Sequence, residues 1–224
     1  MRIHKRKTAA ALWPKYSWAI DSINNNARLN EWHKKNLVNV PHFSHRFELH
    51  RHVRAQLSEP IDYLEFGVFE GRSLKLWTEI NSSGDSRFFG FDTFTGLPEK
   101  WELGSHSMDA GHFAVDQLPK LGDSRVTLIK GLFQETLPGF LTAFERHGPM
   151  VVHCDADLYS STLYLLTQVS AKLRVGDVII FDEFSQPLHE YRAFLDWTQS
   201  YRIRYKAIGS SEDYHRQIAI QIVE

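Results

Sequence analysis

The chain has 224 residues, 42% hydrophobic and 13% aromatic, with 26 Lys and Arg against 27 Asp and Glu. A chain of that length buries roughly 70% of its unfolded surface, which excludes intrinsic disorder and removes any need for disulfides or structural metals in folding. The near-neutral balance argues against a dedicated nucleic-acid binder, and no apolar stretch approaches the roughly 18 residues of a membrane span.

The average charge hides an asymmetry. Residues 1 to 56 hold 11 Lys and Arg against 3 Asp and Glu, a net +8, so the remainder is net −9. The same segment lacks glycine, since the first glycine is Gly67, and residues 1 to 59 contain only Pro14 and Pro41 as breakers. This predicts a basic helical arm over 1–58. Its apolar residues are spaced for two or three amphipathic helices, around Trp18, Ile20 and Ile23, around Leu29, Trp32 and Leu37, and around Phe47, Leu49, Val53 and Leu57. Val40 to Phe43 reads as a break. His42, His45, His50 and His52 lie in this arm without nearby Cys or Asp, which favours surface or partner-facing roles over a metal cluster.

From residue 59 the pattern becomes short apolar strands alternating with helices. IDYLEFGV, RFFGFD, RVTLIKG, MVVHCD and DVIIFDE read as strands. RSLKLWTEI, STLYLLTQVSAKL (capped by Ser160 or Ser161) and HEYRAFLDWTQSY read as helices, and IRYKAIG and RQIAIQIV as a closing hairpin. Continuous apolar strands interleaved with helices predict an α/β fold: a doubly wound, mostly parallel, seven-stranded Rossmann-like sheet with an antiparallel edge hairpin, over 59–224. The lone cysteine, Cys154, sits in an apolar run as a small buried hydrophobe. A reducing cytoplasm fits it best, and the start of the chain has too short an apolar run before Pro14 for a secretory signal.

Ligands of such sheets sit beyond the carboxyl ends of the strands, where this chain places acids and glycines. The first strand ends in Glu65-Phe66-Gly67-Val68-Phe69-Glu70-Gly71, an E-x-G-x-x-x-G turn whose glycines admit close backbone approach ahead of a helix N-terminus; a purely structural turn is the alternative. Asp92 ends the second strand where ribose hydroxyls are gripped in nucleotide-binding sheets, or where it caps the turn Thr93 to Gly96. Phe133 follows the third strand as a base-stacking or core residue. Asp155, Asp157, Asp182 and Glu183 end the fourth and fifth. If those strands are neighbours, about 4.8 Å apart, the carboxylates converge, and an all-oxygen set suits Mg2+, less readily Mn2+ or Ca2+. Helix caps are the alternative. His106 and His112 lie in the long loop after the second strand, a lid where either is a candidate base.

In order and spacing, YLEFGVFEGRS, GFDTFTGLPE, AGHF, KGLFQETLP, HCDADLYSST and VGDVIIFDEF resemble the macrocin O-methyltransferase family over about residues 60 to 200. The resemblance implies a class I methyltransferase that uses S-adenosyl-L-methionine and Mg2+ (or Mn2+) to methylate a hydroxyl of a sugar-containing small molecule or glycolipid. Position by position it implies that Glu65, Gly67, Val68, Phe69 and Gly71 surround the methionine part of the cofactor, Asp92 holds the ribose beside Thr93 and Phe94, and Phe133 lies near adenine. It implies Asp155, Asp182 and Glu183 as metal ligands, Asp155 bordering the cofactor too, and Asp157 as general base; His112 of the lid loop is the second candidate base. Arg72 stands where the family usually has a second glycine, placed to reach the cofactor carboxylate, and Glu183 stands where it usually has Asp. The arm carries no matching motif and is expected to act as a lid or a contact in a homo-oligomer. Two other classes compete: a nucleotide-dependent enzyme such as a dehydrogenase, disfavoured by the missing G-x-G-x-x-G, and a catalytically silent cofactor-binding protein.

Overall fold

The structure, a computed structural model, describes residues 2–103 and 106–224, with side chains from residue 16 onward. The arm begins with α1 (Arg2–Asn36), one helix that runs through Pro14 where two were predicted. No Gly or Pro interrupts it after Lys15. Its last turn carries His33, Lys34 and Lys35 against the negative helix end, and Asn36 Nδ2 donates to the Trp32 carbonyl (2.9 Å). Trp18, Ile20 and Ile23 are exposed, whereas Leu29 and Trp32 are buried in the core; Trp32 Nε1 donates to Tyr205 Oη at 2.8 Å.

The predicted break at Val40 to Phe43 contains a strand that the sequence reading missed, β1 (His42–Phe43). Then α2 (Arg46–Arg54) opens with a capping box: His45 Nδ1 accepts from Phe47 N (3.2 Å) while Glu48 accepts from His45 N (3.2 Å). Leu49, His50 and Val53 of α2 are buried. His50 is therefore a core residue, its Nδ1 accepting from Trp77 Nε1 (2.7 Å) rather than facing a partner.

The remaining elements are β2 (Asp62–Phe66), α3 (Arg72–Glu79), β3 (Arg87–Asp92), β4 (Trp101–Glu102), β5 (Ser107–Met108), β6 (Val126–Lys130), α4 (Phe133–Ala143), β7 (Met150–Cys154), α5 (Tyr159–Val169), β8 (Val178–Phe181), α6 (Glu190–Ser200), β9 (Tyr205–Ser211) and β10 (Gln217–Ile222). The main sheet has eight strands in the order β1-β9-β10-β8-β7-β2-β3-β6, so the hairpin β9–β10 is not the edge; β1 covers it in parallel. From β8 to β6 all pairs are parallel, and β10 joins β8 antiparallel. Helix α4 was hidden in the sequence by Pro138-Gly139; Pro138 sits inside it at the cost of one backbone bond. Helix α5 starts earlier than expected, with Leu158 as N-cap, so Ser160 and Ser161 are not its caps.

One sheet face packs against α4, α5, α6 and the end of α1, through Leu137, Leu166, Trp197 and Trp32. The other packs against α2 and α3, through Leu49, Val53, Leu74 and Trp77. Alternation along each strand supplies both layers, as in Tyr63 and Glu65 against Leu64 and Phe66. The register levels the strand ends: Phe66 is opposite Phe91 and Cys154, and Cys154 is opposite Phe181. The residues that follow, Gly67, Asp92, Asp155 and Asp182, therefore share one rim at the point where chain direction across the sheet switches between β2 and β7.

Candidate active site

Above that rim is a cavity of about 620 Å³, within the range that holds a cofactor and a small acceptor. Its floor holds Gly67, Phe69, Asp92, Thr93, Asp155, Asp157, Asp182 and Glu183; Leu132 and Phe133 close one side. The β4–β5 hairpin and the loop after it supply an apolar roof of Trp101, Met108 and Phe113. Arg46, at the start of α2, and Tyr214 and Arg216, in the turn before β10, close the far side.

Gly67 must be glycine. Its φ is +93° and a Cβ there would lie 1.8 Å from the Asp155 carbonyl oxygen, because β2 and β7 part company at this point with Asp155 N still donating to the Phe66 carbonyl (2.9 Å). Beside it Asp92 organises the loop: Oδ2 accepts from Val68 N (2.8 Å) and Phe69 N (2.9 Å), and Oδ1 from Phe94 N (2.7 Å). Asp92 thus both caps the Thr93 turn and borders the cavity. Phe69, Phe113 and Asp157, which line the cavity, hold φ between +49° and +68°, a concentration of backbone strain typical of sites where geometry is imposed for function.

Several of the expected site residues lie outside the cavity wall. Glu65 is buried beneath the floor, where its carboxylate accepts from Tyr63 Oη (2.6 Å) and lies 3.5 Å from His153 Nδ1. Val68 and Phe94 are core residues, and Gly71, at φ +76°, is the N-cap of α3. Arg72 is solvent-exposed and paired with exposed Glu70 (2.7 Å). His112 is exposed and does not line the cavity, its ring packed on Phe113 (centroids 4.4 Å apart).

The acids meet unequally. His153, Asp155 and Asp182 bring one ligand atom each within 4.8 Å of one another, a triplet that includes a histidine not singled out from the sequence and omits Glu183. The period of two on a strand was the available signal, since His153 and Asp155 point the same way. Glu183 turns instead to Arg216, whose Nε donates to Oε1 at 3.0 Å, and its backbone N–H donates to Glu190 (2.8 Å). Asp182 Oδ2 pairs with Arg46 Nη1 at 3.0 Å, while Oδ1 faces His153 Nε2 at 3.6 Å; both of these last atoms are buried without a hydrogen-bond partner.

Burial depresses the His153 pKa, but the neighbouring carboxylates of Asp182 and Glu65 outweigh that and raise it to about 10. Burial also raises the Asp182 carboxyl, yet His153 and Arg46 hold it below the usual range. Asp155 is pushed well up by burial and by the charges of Asp182 and Asp157, and Asp157 is pushed to about 8 by burial, Glu183 and Asp182. The contrast with the opposite rim is informative. There Asp177 accepts from Arg146 Nη1 (2.7 Å), Met150 N (2.9 Å) and Arg174 N (2.7 Å) and is fully satisfied. At the carboxyl rim negative charge is in excess and an oxygen is left over, which is the condition a bound cation relieves.

A sheet of this order with a ligand cavity at its switch point defines a class I methyltransferase fold. Solved structures agree on it: the chain is 21% identical to the O-methyltransferase NovP, with 80% of each chain covered and a TM-score of 0.62. It is 20% identical to the calicheamicin methyltransferase CalS11, covering 89% of this chain and 91% of that one, with a TM-score of 0.62. The sequence profile of the macrocin O-methyltransferase (TylF) family matches residues 47–207, and the chain belongs to that family. It is also 29% identical over 157 residues to the 8-demethyl-8-(2,3-dimethoxy-alpha-L-rhamnosyl)-tetracenomycin-C 4'-O-methyltransferase of Streptomyces olivaceus, an alignment that spans 59% of this chain and 58% of that protein.

Proposed function

We propose that this protein transfers the methyl group of S-adenosylmethionine to a hydroxyl of a sugar-bearing small molecule, with a divalent cation, Mg2+ or Mn2+, held at Asp155 and Asp182. The observation that carries the reading is the convergence of Asp155, Asp157 and Asp182 on one cavity, with Asp182 Oδ1 buried among them, 3.6 Å from His153 Nε2 and held by no hydrogen bond. Oxygen donors in excess of their protein partners fit a hard cation. Glu183 joins them only by leaving Arg216.

In this reading the loop Gly67 to Phe69, kept in shape by Asp92, receives the cofactor, with Asp92 and Thr93 toward the ribose and Phe133 toward the base. Glu65, Val68, Gly71 and Phe94 act through the shape of that loop and the floor beneath it. Arg72 meets the cofactor only by leaving Glu70. The cation, when bound, supplies a lowered pKa for the acceptor hydroxyl. Asp157 borders the cavity with a carboxyl whose pKa is pushed up to about 8 and, in its ionised form, takes the hydroxyl proton; His112 does not line the cavity. The roof of Trp101, Met108 and Phe113 excludes water from the transfer. Among the described residues no helix is long and apolar enough to cross a membrane. The placement in a reducing cytoplasm rests on Cys154, a free and buried thiol. The exposed Tyr16, Ile20 and Ile23 recur along α1 at helical spacing and form the contact of a homo-oligomer.

Calorimetry with S-adenosylhomocysteine tests the first half of the proposal, and methyl transfer from labelled S-adenosylmethionine to a panel of glycosides, with EDTA or with added Mg2+, tests the second. Binding, and turnover that EDTA abolishes and Mg2+ restores, is the expected result. Absence of heat and of thermal stabilisation at millimolar ligand overturns the methyltransferase reading; full turnover in EDTA overturns the cation.

A further inference from the structure

We propose that Arg46 is a built-in counter-cation of the acidic centre, which holds Asp182 while the divalent cation is away and lets go of it when the cation binds. This rests on the cation reading above. It is argued from where the basic arm delivers one side chain.

The capping box of α2 fixes Arg46 at the first helical position, and β1, paired to β9, anchors the chain three residues earlier. The guanidinium is 24% exposed and borders the cavity. It has two acids within reach. Nη1 is 3.0 Å from Asp182 Oδ2, and Nε is 3.5 Å from Oε1 of Glu212, which also faces the Arg46 backbone N–H (3.4 Å). Asp182 is only half used by this pairing, since its other oxygen has no hydrogen-bond partner.

A divalent cation on Asp155 and Asp182 would stand within a few ångströms of that guanidinium, in a setting where charges are weakly screened. Arginine does not relieve such repulsion by losing its proton. What remains is movement, and Glu212 is the neighbouring acid that can take the whole guanidinium. Arg216 does not share this position, because it is 44% exposed and its hydrogen-bonded partner is Glu183, outside the His153, Asp155 and Asp182 triplet; its Nη1 also lies 3.9 Å from Glu212 Oε2, the oxygen that does not face Arg46. Binding of the cation and seating of Arg46 on Asp182 therefore oppose each other, and by linkage the conformation at the start of α2 reports the state of the centre.

The test is Mn2+ binding to the full chain without cofactor or acceptor, by calorimetry and electron paramagnetic resonance. R46Q is expected to bind Mn2+ about tenfold more tightly than the native chain, and R46K, which keeps the charge, to stay within about threefold of it. D182N is expected to abolish the signal and so locates it at this centre. In EDTA, R46Q should melt lower than the native chain, because Asp182 has lost its arginine partner, and Mn2+ should remove the difference. Unchanged or weaker Mn2+ binding by folded R46Q overturns the proposal while leaving the cation reading intact. No Mn2+ binding by either chain overturns both. Should R46Q not fold, E212Q decides the matter: removing the alternative partner should weaken Mn2+ binding several-fold, and unchanged affinity overturns the proposal.

Discussion

Asp157 gives the sharpest test of the electrostatics, because the same carboxyl is asked to be strained, buried and reactive. Its φ is +57°, and its pKa stands at about 8 against 3.8 for a free side chain. A carboxyl raised in the folded state favours folding when protonated and penalises it when ionised. The penalty is absent below about 3.8, grows through the window from 3.8 to 8, and is complete above it. Between pH 5 and pH 8 that growth is nearly three pKa units, about 4 kcal/mol at full strength. Since Asp157 opens onto a cavity, solvent screening leaves about half of this, roughly 2 kcal/mol, as the measurable part. Asp157→Asn removes the charge with little change of shape, and asparagine is among the residues that best tolerate a left-handed backbone. In EDTA, which keeps cations from drawing the carboxyls down, the variant should therefore melt above the native chain, and by more at pH 8 than at pH 5. For a chain of this length the extra gain is about 4 to 8 °C. Methyl transfer should fall by about 10² to 10⁴ with cofactor affinity retained. Equal gains at the two pH values would refute the assignment of a raised carboxyl, and a stabilised variant with full turnover would refute Asp157 as the base.

Asp92→Asn places an amide hydrogen where the carboxylate now accepts three backbone N–H groups, so at least one bond is lost at about 1 to 3 kcal/mol, and calorimetry should show S-adenosylhomocysteine affinity down by about tenfold or more. Trp32→Ala should cost about 3 to 5 kcal/mol in a thermal melt, because the indole is 7% exposed between Phe184, Phe194 and Tyr205. Removal of residues 1 to 27, which spares Leu29 and Trp32, should leave the melt nearly unchanged and shift the sizing profile to a smaller species.

Those two arm experiments separate because α1 is two things at once, and only one was legible in the sequence. The absence of glycine over residues 1 to 59 announced a helix, but periodicity alone did not say that Leu29 and Trp32 would be covered while Trp18 and Ile23 stay exposed. Coverage is set by Phe184, Phe194 and Tyr205, more than 150 residues away. The strands were legible for the opposite reason, since each apolar run is long enough to be buried on both faces. Strand β1 was not, because two residues carry no period, and α4 was masked by a proline that its neighbours tolerate.

The same distinction explains the site. Acids at strand ends are visible in a sequence because the strand itself supplies the register, so Asp92, Asp155, Asp157 and Asp182 were placed on one rim before their neighbours were known. What a strand end does not encode is the partner that comes from elsewhere in the chain. Arg46 meets Asp182 across 136 positions, and Arg216 meets Glu183 from the far side of a hairpin. Glu65 ends its strand as a cofactor ligand would, but its carboxylate is taken below the floor by Tyr63 and His153. The excess of negative charge at the rim was thus legible as a total. Its division was not: Arg216 claims Glu183, whose carboxyl burial still raises, His153 and Arg46 claim most of Asp182, and Asp155 and Asp157 are left with raised pKa values. An acid that the fold has already paired is an anchor, whereas one that the fold leaves unpaired, on a strained backbone beside an open cavity, is where a cation or a proton can be exchanged.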